Sequence, residues 1–162
     1  MKTLLLLRHA KSSWKQDNLP DHDRPLNKRG KQDAPRMGKL IQAKGLVPDL
    51  IISSTAKRAQ KTARLVAEES GYDGDIEFDR DLYAFEPSAY LQKLTSISDH
   101  IQIVLLVGHN PGLEELLDQL TGEYLPMPTA ALAHINLLID SWSDLDDETQ
   151  GQLVNLWRPK EL

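Results

Sequence analysis

Short apolar runs alternate along the chain with stretches in which apolar side chains recur every three or four positions. The segments that predict strands are residues 2–7, 49–53, 76–78, 101–107, 131–139 and 152–157, the last two as an antiparallel pair. The segments that predict helices are residues 27–43, 56–70, 87–96 and 111–120. Strands that alternate with helices are typical of α/β proteins. We therefore expect a three-layer α/β/α fold with a mostly parallel central sheet flanked by helices.

Capping and helix-breaking residues define the ends of the first two predicted helices. Asn27 is expected to cap the first helix, and Pro35 inside it should kink or shorten it. Ser54 or Thr55 is expected to cap the second helix, which should end at Gly71.

Basic residues and histidines stand where three of the predicted strands end. Arg8 and His9 follow the first strand, Arg58 falls in the first turn of the second helix, and His109 follows the strand at 101–107. Ligands of open α/β sheets bind at the carboxyl ends of the strands, where helix N-termini offer free backbone N–H groups to anions. Two guanidinium groups and two imidazoles at one sheet edge predict a phosphate pocket.

Four motifs carry this pattern over nearly the whole chain. They are RHAKSSW at 8–14, DHDRPLNKRG at 21–30, SSTAKRAQKTA at 53–63 and GHNPG at 108–112. In this order they resemble the histidine phosphatase superfamily, and most of all its small SixA-type phosphohistidine phosphatase branch. The resemblance implies a phosphoglycerate mutase-like fold with His9 as the nucleophile. It also implies that Arg8, Arg58 and His109 are catalytic residues that bind the phosphoryl group.

The chain departs from the pattern of that superfamily at three points, one of which is Thr55, where proline is common. Ala10 stands where many members have glycine, so we expect this position to avoid a positive φ. The carboxylate that usually donates a proton to the leaving group has no clear match. Asp81, Glu86 and Glu114 are weak candidates for this general acid by their positions in the sequence.

The first long loop contains further candidates for phosphate binding. Ser12 matches a small hydroxyl residue of the family, which implies a hydrogen bond to phosphate. Arg24 lies in a segment that packs near the pocket in this family, so it either contacts phosphate or pairs with Asp21 or Asp23. We expect Trp14 to fill the loop rather than to form a wall of the pocket.

The expected chemistry is covalent catalysis in two steps. His9 would attack phosphorus as a neutral imidazole, with its other ring nitrogen donating to a backbone carbonyl that fixes the tautomer. Nearby cations lower the pKa of a histidine, which keeps this nucleophile neutral near pH 7. Arg8 and Arg58 would bind the equatorial oxygens through planar forks, and His109, if protonated, would add a third charged donor.

Composition excludes several other classes of function. The 162 residues are expected to form a single domain, 1–162, with a net charge of −5 that argues against nucleic-acid or anionic-membrane binding. There are no cysteines, which excludes disulfides and thiolate chemistry. No apolar run approaches the roughly 18 residues of a membrane span. We expect a cytoplasmic monomer without a cofactor, and without a metal because neighbouring arginines repel divalent cations.

The expected function is therefore that of a phosphohistidine phosphatase. It would hydrolyse protein-borne phosphohistidine through a phosphorylated His9, so its partner is a phosphohistidine-bearing protein or a small phosphorylated substrate. The alternative enzyme is a small-molecule phosphomonoesterase or a mutase-like enzyme on the same scaffold, which would need a carboxylate proton donor. A phosphoryl-binding protein without activity would be expected to have lost the nucleophile, whereas His9 is intact.

Overall fold

A computed structural model of the chain describes residues 1–162 as one mixed six-stranded sheet with helices on both faces. The strands are β1 (Lys2–Arg8), β2 (Leu50–Ser54), β3 (Ile76–Asp79), β4 (Ile103–Gly108), β5 (Leu132–Leu137) and β6 (Gly151–Trp157). Their order across the sheet is β3-β2-β4-β1-β5-β6. The first four in this order run parallel, whereas β5 is antiparallel to β1 and β6 is antiparallel to β5.

Four α-helices connect the strands. They are α1 (Lys28–Ala43), α2 (Lys57–Ser70), α3 (Pro87–Thr95) and α4 (Gly112–Thr121). Short 3-10 turns occupy Asp21–Asp23, Arg80–Leu82, Trp142–Asp144 and Pro159–Glu161. None of the helices has both the length and the apolar character that crossing a membrane would require.

The central strands are apolar on both faces because each face is covered by a pair of helices. Leu5 and Leu7 of β1 pack in one core with α1 and α2. Leu4 and Leu6 of the same strand pack in a second core with α3 and α4. A strand buried on both sides reads as an unbroken apolar run, as β1 does. The predicted three-layer architecture with a mostly parallel sheet is confirmed.

The predicted helix caps are confirmed in part. The side chain of Asn27 accepts a hydrogen bond from Gly30 N, and Gly71 ends α2 in the left-handed conformation. Pro35 does not shorten α1, which runs through it to Ala43. The carbonyl that Pro35 leaves without a helical partner belongs to an exposed residue, where water can satisfy it.

The prediction that Ser54 or Thr55 caps α2 was wrong. Ala56 is the N-terminal capping residue, and no side chain caps the helix. The hydroxyl of Ser54 instead accepts a hydrogen bond from Ala56 N and contacts His109. Ser54, the last residue of β2, therefore contributes its hydroxyl to the site rather than to a cap of the helix.

The parallel strands β2, β4 and β1 place their carboxyl ends side by side. Arg8 pairs with Gly108 at the last register position of β1 and β4, and His9 N donates to Gly108 O at 3.2 Å. His9 and His109 therefore leave adjacent strands at the same level. Gly108 is required here because a Cβ atom would lie 2.7 Å from the hydroxyl of Tyr90, which itself accepts a hydrogen bond from His109 N.

Candidate active site

The four residues predicted to be catalytic meet in one cavity. Arg8, His9, Arg58 and His109 all line a cavity of about 320 Å³ at the carboxyl edge of the sheet. The rings of the two histidines lie 5.2 Å apart between centroids. His9, Arg58 and His109 are almost completely buried, so the cavity brings charged and polar groups together in a poorly hydrated place.

His9 is held as a neutral imidazole with one free ring nitrogen. Its Nδ1 lies 2.8 Å from the carbonyl oxygen of Ala10, which accepts a hydrogen bond from an Nδ1–H group and leaves Nε2 with a lone pair. Burial, together with the charges of Arg58 and Arg8, lowers the pKa of His9 to about 3. The sequence predicted that one ring nitrogen of His9 donates to a backbone carbonyl, and the contact with Ala10 O assigns that nitrogen as Nδ1.

Thr62 fixes the peptide that orients His9. Its Oγ1 accepts a hydrogen bond from Ala10 N at 3.0 Å and donates one to Arg58 O at 2.8 Å. The side chain is fully buried in α2. Ala10 has no positive φ, as expected. Sequence reasoning did not single out Thr62, although its place one helical turn after Arg58 was a usable signal.

His109 is neutral near pH 7 and is therefore not the charged donor that it would be if protonated. Burial and the charge of Arg58 lower its pKa to about 3, so the ring is neutral near pH 7. Its Nε2 lies 2.8 Å from Ser54 Oγ, whereas its Nδ1 is buried without a hydrogen-bond partner. If the Ser54 hydroxyl donates to Nε2, the hydrogen sits on Nδ1, and a neutral His109 still donates to an anion from that atom.

Arg8 is anchored at one end of its guanidinium group. Its Nη1 donates to Met127 O at 3.2 Å, while its Nε is buried without a partner. Glu114 holds this anchor, because its Oε2 accepts hydrogen bonds from Met127 N at 2.7 Å and from Asn110 Nδ2 at 3.0 Å. Burial lowers the pKa of Arg8, and the charge of Glu114 opposes that shift.

Asp21 is a site residue whose importance the sequence did not reveal. Its carboxylate accepts hydrogen bonds from Arg58 Nη2 at 2.9 Å, from Arg24 Nη1 at 3.0 Å and from the hydroxyl of Tyr83. Although partial burial opposes ionisation, these donors hold the pKa of Asp21 well below its usual range. The sequence indicates Asp21 only as a possible partner of Arg24, three positions later, and gives no sign of its contact with Arg58.

The contacts of Asp21 change the expected use of Arg58. Both Nη atoms of Arg58 bind Asp21, one through the carboxylate and one through the backbone carbonyl at 2.7 Å. The Nε atom of Arg58 lies 3.4 Å from His9 Nε2. The two Nη atoms of Arg58 are therefore occupied by Asp21, and its Nε–H group is the one placed next to His9 Nε2.

The residues of the first loop lie at the cavity as well. Arg24 binds Asp21 and also donates to Ser12 Oγ at 2.5 Å, and both Arg24 and Ser12 line the cavity. The expectation that Trp14 fills the loop was wrong. Its side chain is 70% exposed and lines the cavity, with the guanidinium of Arg24 3.1 Å from the ring centroid. The cation holds the ring at the rim of the cavity.

None of the three candidate general acids lines this cavity. Asp81 and Glu86 are exposed and border other parts of the surface. Glu114 uses its carboxylate to hold Asn110 and Met127. No cluster of three or more histidine, aspartate or glutamate side chains is arranged to hold a metal ion.

Two buried histidines between arginines at the carboxyl edge of a three-layer α/β fold define a class of protein, the phosphoryl-transfer enzymes with a phosphoglycerate mutase-like fold. The model of the histidine phosphatase superfamily (branch 1) matches residues 4–87, and the chain belongs to this superfamily, in its SixA-type branch. The matched segment contains Arg8, His9 and Arg58.

Several known proteins are similar to most or to part of the chain. An uncharacterized chloroplastic protein of Arabidopsis thaliana is 32% identical over 88% of this chain and 70% of its own length. The structure of a proposed phosphohistidine phosphatase SixA of Agrobacterium tumefaciens is 30% identical, with a TM-score of 0.83 over 98% of both chains. A 2,3-bisphosphoglycerate-dependent phosphoglycerate mutase of Parvibaculum lavamentivorans is 45% identical, but over only 46% of this chain and 36% of the mutase.

Proposed function

We propose that this protein is a phosphatase that hydrolyses phosphohistidine carried on another protein, through a covalent phosphohistidine on His9. Its membership of the SixA-type branch supports this proposal. One observation supports phosphohistidine as the substrate more directly than membership of the family does. The cavity presents a neutral His9 Nε2 beside arginines, and no carboxylate side chain lines it.

The absence of a carboxylate from the cavity lining bears on the leaving group. An alcohol leaves as a strongly basic alkoxide, so its departure needs a proton donor in the transition state. The imidazole of phosphohistidine has a second nitrogen that is protonated near neutral pH, so it leaves as a neutral ring. A cavity lined by histidines and arginines therefore suits the cleavage of a phosphorus–nitrogen bond.

In the first step, the lone pair of His9 Nε2 attacks phosphorus in line with the departing imidazole of the substrate. The new bond joins phosphorus to His9 Nε2, and the bond to the substrate nitrogen breaks. Arg58 Nε–H, the free Nε–H of Arg8 and the unpartnered His109 Nδ1 are the donors available to the equatorial oxygens. The Nδ1–H group of His9 stays hydrogen-bonded to Ala10 O while positive charge develops on the ring.

In the second step, water attacks the phosphorus of phosphorylated His9. The bond to Nε2 breaks, His9 returns to the neutral tautomer, and the proton of the attacking water leaves with phosphate or solvent. The same donors stabilise both transition states, because each step spreads negative charge over three equatorial oxygens. The two buried unpartnered atoms, Arg8 Nε and His109 Nδ1, then acquire the acceptor they lack in the free protein.

The rim of the cavity suits a ring carried on a protein. Trp14 is 70% exposed and Phe85 is 49% exposed, and both line the cavity. Exposed aromatic rings bind flat ligands by stacking, at little cost in conformational entropy. They offer an apolar surface to the imidazole that leaves, and their exposure keeps the entrance accessible to a large substrate.

The alternative is a phosphomonoesterase or a mutase-like enzyme acting on small molecules. The phosphoglycerate mutases that match this chain favour it to a limited degree, because the match covers about a third of their length. Such an enzyme needs a proton donor, and Asp21 is the one carboxylate in contact with the site arginines. Since Asp21 accepts hydrogen bonds from two arginines and a tyrosine, it is held as an acceptor rather than as an acid.

The test compares kcat/KM for a phosphohistidine protein with kcat/KM for a phosphoserine peptide in one buffer. We expect strong preference for phosphohistidine, and no turnover of either substrate by His9→Ala, which should retain the wild-type fold. Brief incubation with a labelled phosphohistidine protein, quenched in alkali, should trap acid-labile label on His9. Equal or better hydrolysis of phosphoserine would favour the alternative, and a folded His9→Ala variant that retains activity would exclude the covalent mechanism.

A further inference from the structure

A second cavity adjoins the phosphate cavity and is lined by positive charge. Its volume is about 430 Å³, and it shares Arg8, Lys11 and Thr129 with the phosphate cavity. Its other charged residues are Arg29 of α1 and Lys160 of the C-terminal 3-10 turn, and no acidic side chain lines it. Four cations therefore border a space that opens directly beside the phosphoryl-binding arginine.

The charges of this second cavity are poorly compensated within the protein. Lys11 and Lys160 are exposed and form no salt bridge. Arg29 contacts Asp33 at 3.4 Å, but the same carboxylate also binds Arg36 at 3.2 Å. The whole chain carries a net charge of −5, so a cavity with only cations is a local feature and not a consequence of composition.

The backbone that carries these cations is fixed around the start of α1. Lys11 O accepts a hydrogen bond from Asn27 N at 2.9 Å, and Gly30 allows the close approach because a Cβ atom there would lie 2.2 Å from Lys11 O. Arg36 Nη2 donates to Pro159 O at 3.2 Å, which fastens the turn that carries Lys160 to the same helix. Contacts with α1 and its cap therefore hold both the first loop, which carries Lys11, and the C-terminal turn, which carries Lys160.

We propose that this second cavity is an anion subsite, which binds the carboxylate of an acidic side chain that flanks the phosphorylated histidine of the substrate protein. The proposal rests on the proposed function, because it names a feature of the same substrate. Exposed cations next to a reaction centre increase association with an oppositely charged partner and contribute specificity. They do so without taking part in the transfer of the phosphoryl group.

The position and exposure of the cations favour a carboxylate of a protein over a second phosphoryl group of a small molecule. Lys11, Arg29 and Lys160 come from three separate elements and all face solvent. A surface that spans all three must extend beyond the phosphate cavity while its phosphohistidine enters that cavity. A protein surface meets this requirement, and a compact polyphosphate does not.

The test uses two phosphohistidine peptides that differ only in glutamate or glutamine at the flanking positions. The wild-type protein, Arg29→Gln/Lys160→Gln and the control Lys39→Gln/Lys44→Gln are compared by the ratio of kcat/KM for the two peptides. The control removes the same charge from exposed lysines near the other end of α1 and at its C-terminal cap, outside both cavities. We expect the wild type and the control to prefer the glutamate peptide by about fivefold to tenfold at low salt.

The Arg29→Gln/Lys160→Gln variant should lose most of this preference through a higher KM, with kcat unchanged. The preference of the wild type should also fall as salt is raised, because exposed charges are screened. The subsite proposal is overturned if this variant keeps the wild-type preference, or if the wild type hydrolyses both peptides equally. In both cases the phosphohistidine function stands.

A second measurement separates the subsite from the proposed function. Hydrolysis of p-nitrophenyl phosphate reports turnover whatever the natural substrate is, because its leaving group needs little protonation. The unphosphorylated glutamate peptide should inhibit it competitively in the wild type and the control, and much less in Arg29→Gln/Lys160→Gln. Such inhibition without any hydrolysis of phosphohistidine would support the subsite and refute the proposed function. Inhibition by tripolyphosphate but not by the glutamate peptide would overturn the choice of a protein carboxylate.

Discussion

Asp21 orients the arginines of the site although it acts only as a hydrogen-bond acceptor and does not line the cavity. Its carboxylate receives Arg58, Arg24 and Tyr83, and its backbone carbonyl receives Arg58 again. A buried arginine that is bound at both Nη atoms has little freedom to rotate. The orientation of Arg58 Nε beside His9 is therefore determined by the first loop and not by α2 alone.

This arrangement predicts how substitutions of Arg58 affect the reaction. Arg58→Ala should lose about 2 to 4 kcal/mol of transition-state stabilisation, the scale of one preorganised charged donor. Arg58→Lys should recover only part of it, because one ammonium group cannot bind Asp21 at two positions and also face His9 Nε2. The measurement is kcat/KM with a phosphohistidine protein for the three forms.

Asp21→Asn serves as the control for this prediction. It keeps the side-chain size but removes the charge that holds Arg58, so kcat should fall while KM stays equal or decreases for an anionic substrate. Full recovery by Arg58→Lys, or an unchanged kcat in Asp21→Asn, would mean that Arg58 acts by charge alone and that its orientation is unimportant.

The two buried histidines predict a loss of stability in acid. The pKa values of His9 and His109 are about 3 in the folded protein, against about 6.5 in an unfolded chain. The unfolded state therefore takes up protons first, and stability that is fully present above about pH 6.5 is lost as pH falls. Between pH 6.5 and 5 the loss should be up to about 2 kcal/mol for each histidine.

Denaturant unfolding at pH 7, 6 and 5 in phosphate-free buffer measures this effect. His9→Gln should reduce the dependence on pH, because one of the two buried imidazoles is gone. His100→Gln, which replaces an exposed histidine outside the cavity, is the matched control for the removal of an imidazole. The explanation fails if His9→Gln loses as much stability as the wild type over this range.

At the scale of elements, the end of β1 is joined to α2 through Thr62. Thr62→Val keeps the shape of the side chain but leaves the buried Ala10 N–H without an acceptor. We expect a loss of about 1 to 3 kcal/mol in the free energy of unfolding, the cost of an unsatisfied buried group. We also expect a lower kcat, because the Ala10 peptide carries the carbonyl that orients His9.

Thr62→Ser is the matched control, since it retains the hydroxyl and should behave nearly as the wild type. Both variants are compared by denaturant unfolding and by kcat. A Val variant that is destabilised but has the wild-type kcat would show that the hydrogen bond supports the fold without orienting the nucleophile.

The helices and strands could be predicted from the sequence because several local signals agreed. Apolar runs of strand length, Asn27 as a cap and Gly71 as a terminator predicted β1, α1 and α2 to within one or two residues. The motifs predicted Arg8 and His9 at the carboxyl edge in the same way. Residues whose role depends on distant partners were not accessible. Asp21 reads as a charge in a solvated loop until Arg58, 37 residues further along, is packed against it.

Trp14 and Ser54 illustrate the same limit in different ways. An aromatic residue in a loop usually packs inward, but the guanidinium of Arg24 holds Trp14 at the rim by a contact that no local pattern encodes. Ser54 is of a residue type that commonly caps helices, but its hydroxyl contacts His109, which follows the neighbouring strand β4. In both residues a tertiary contact at the site takes precedence over the local preference.

At the scale of the whole molecule, β1 lies between two strands that come late in the chain. Thr3 pairs with Ile103 of β4, and Leu5 pairs with His134 of β5. A chain that ends after Gly122 lacks β5 and leaves one edge of β1, which is apolar from Leu4 to Leu7, unpaired. We expect this fragment to aggregate, because exposed apolar edges pair with other chains. A chain that ends after Leu137 retains β5 and should stay soluble to a greater extent, measured by sedimentation of the two expressed fragments.

The central place of β1 also sets the order of events during synthesis on the ribosome. Arg8 and His9 are translated before both strands that flank β1, since β4 begins at Ile103 and β5 begins at Leu132. Contacts between residues so far apart in sequence form slowly, because a long loop must close before they stabilise anything. His9 is therefore made long before the residues that complete the cavity around it, the last of which in the sequence is Thr129. We expect a nascent chain that ends before Thr129 to lack the complete cavity.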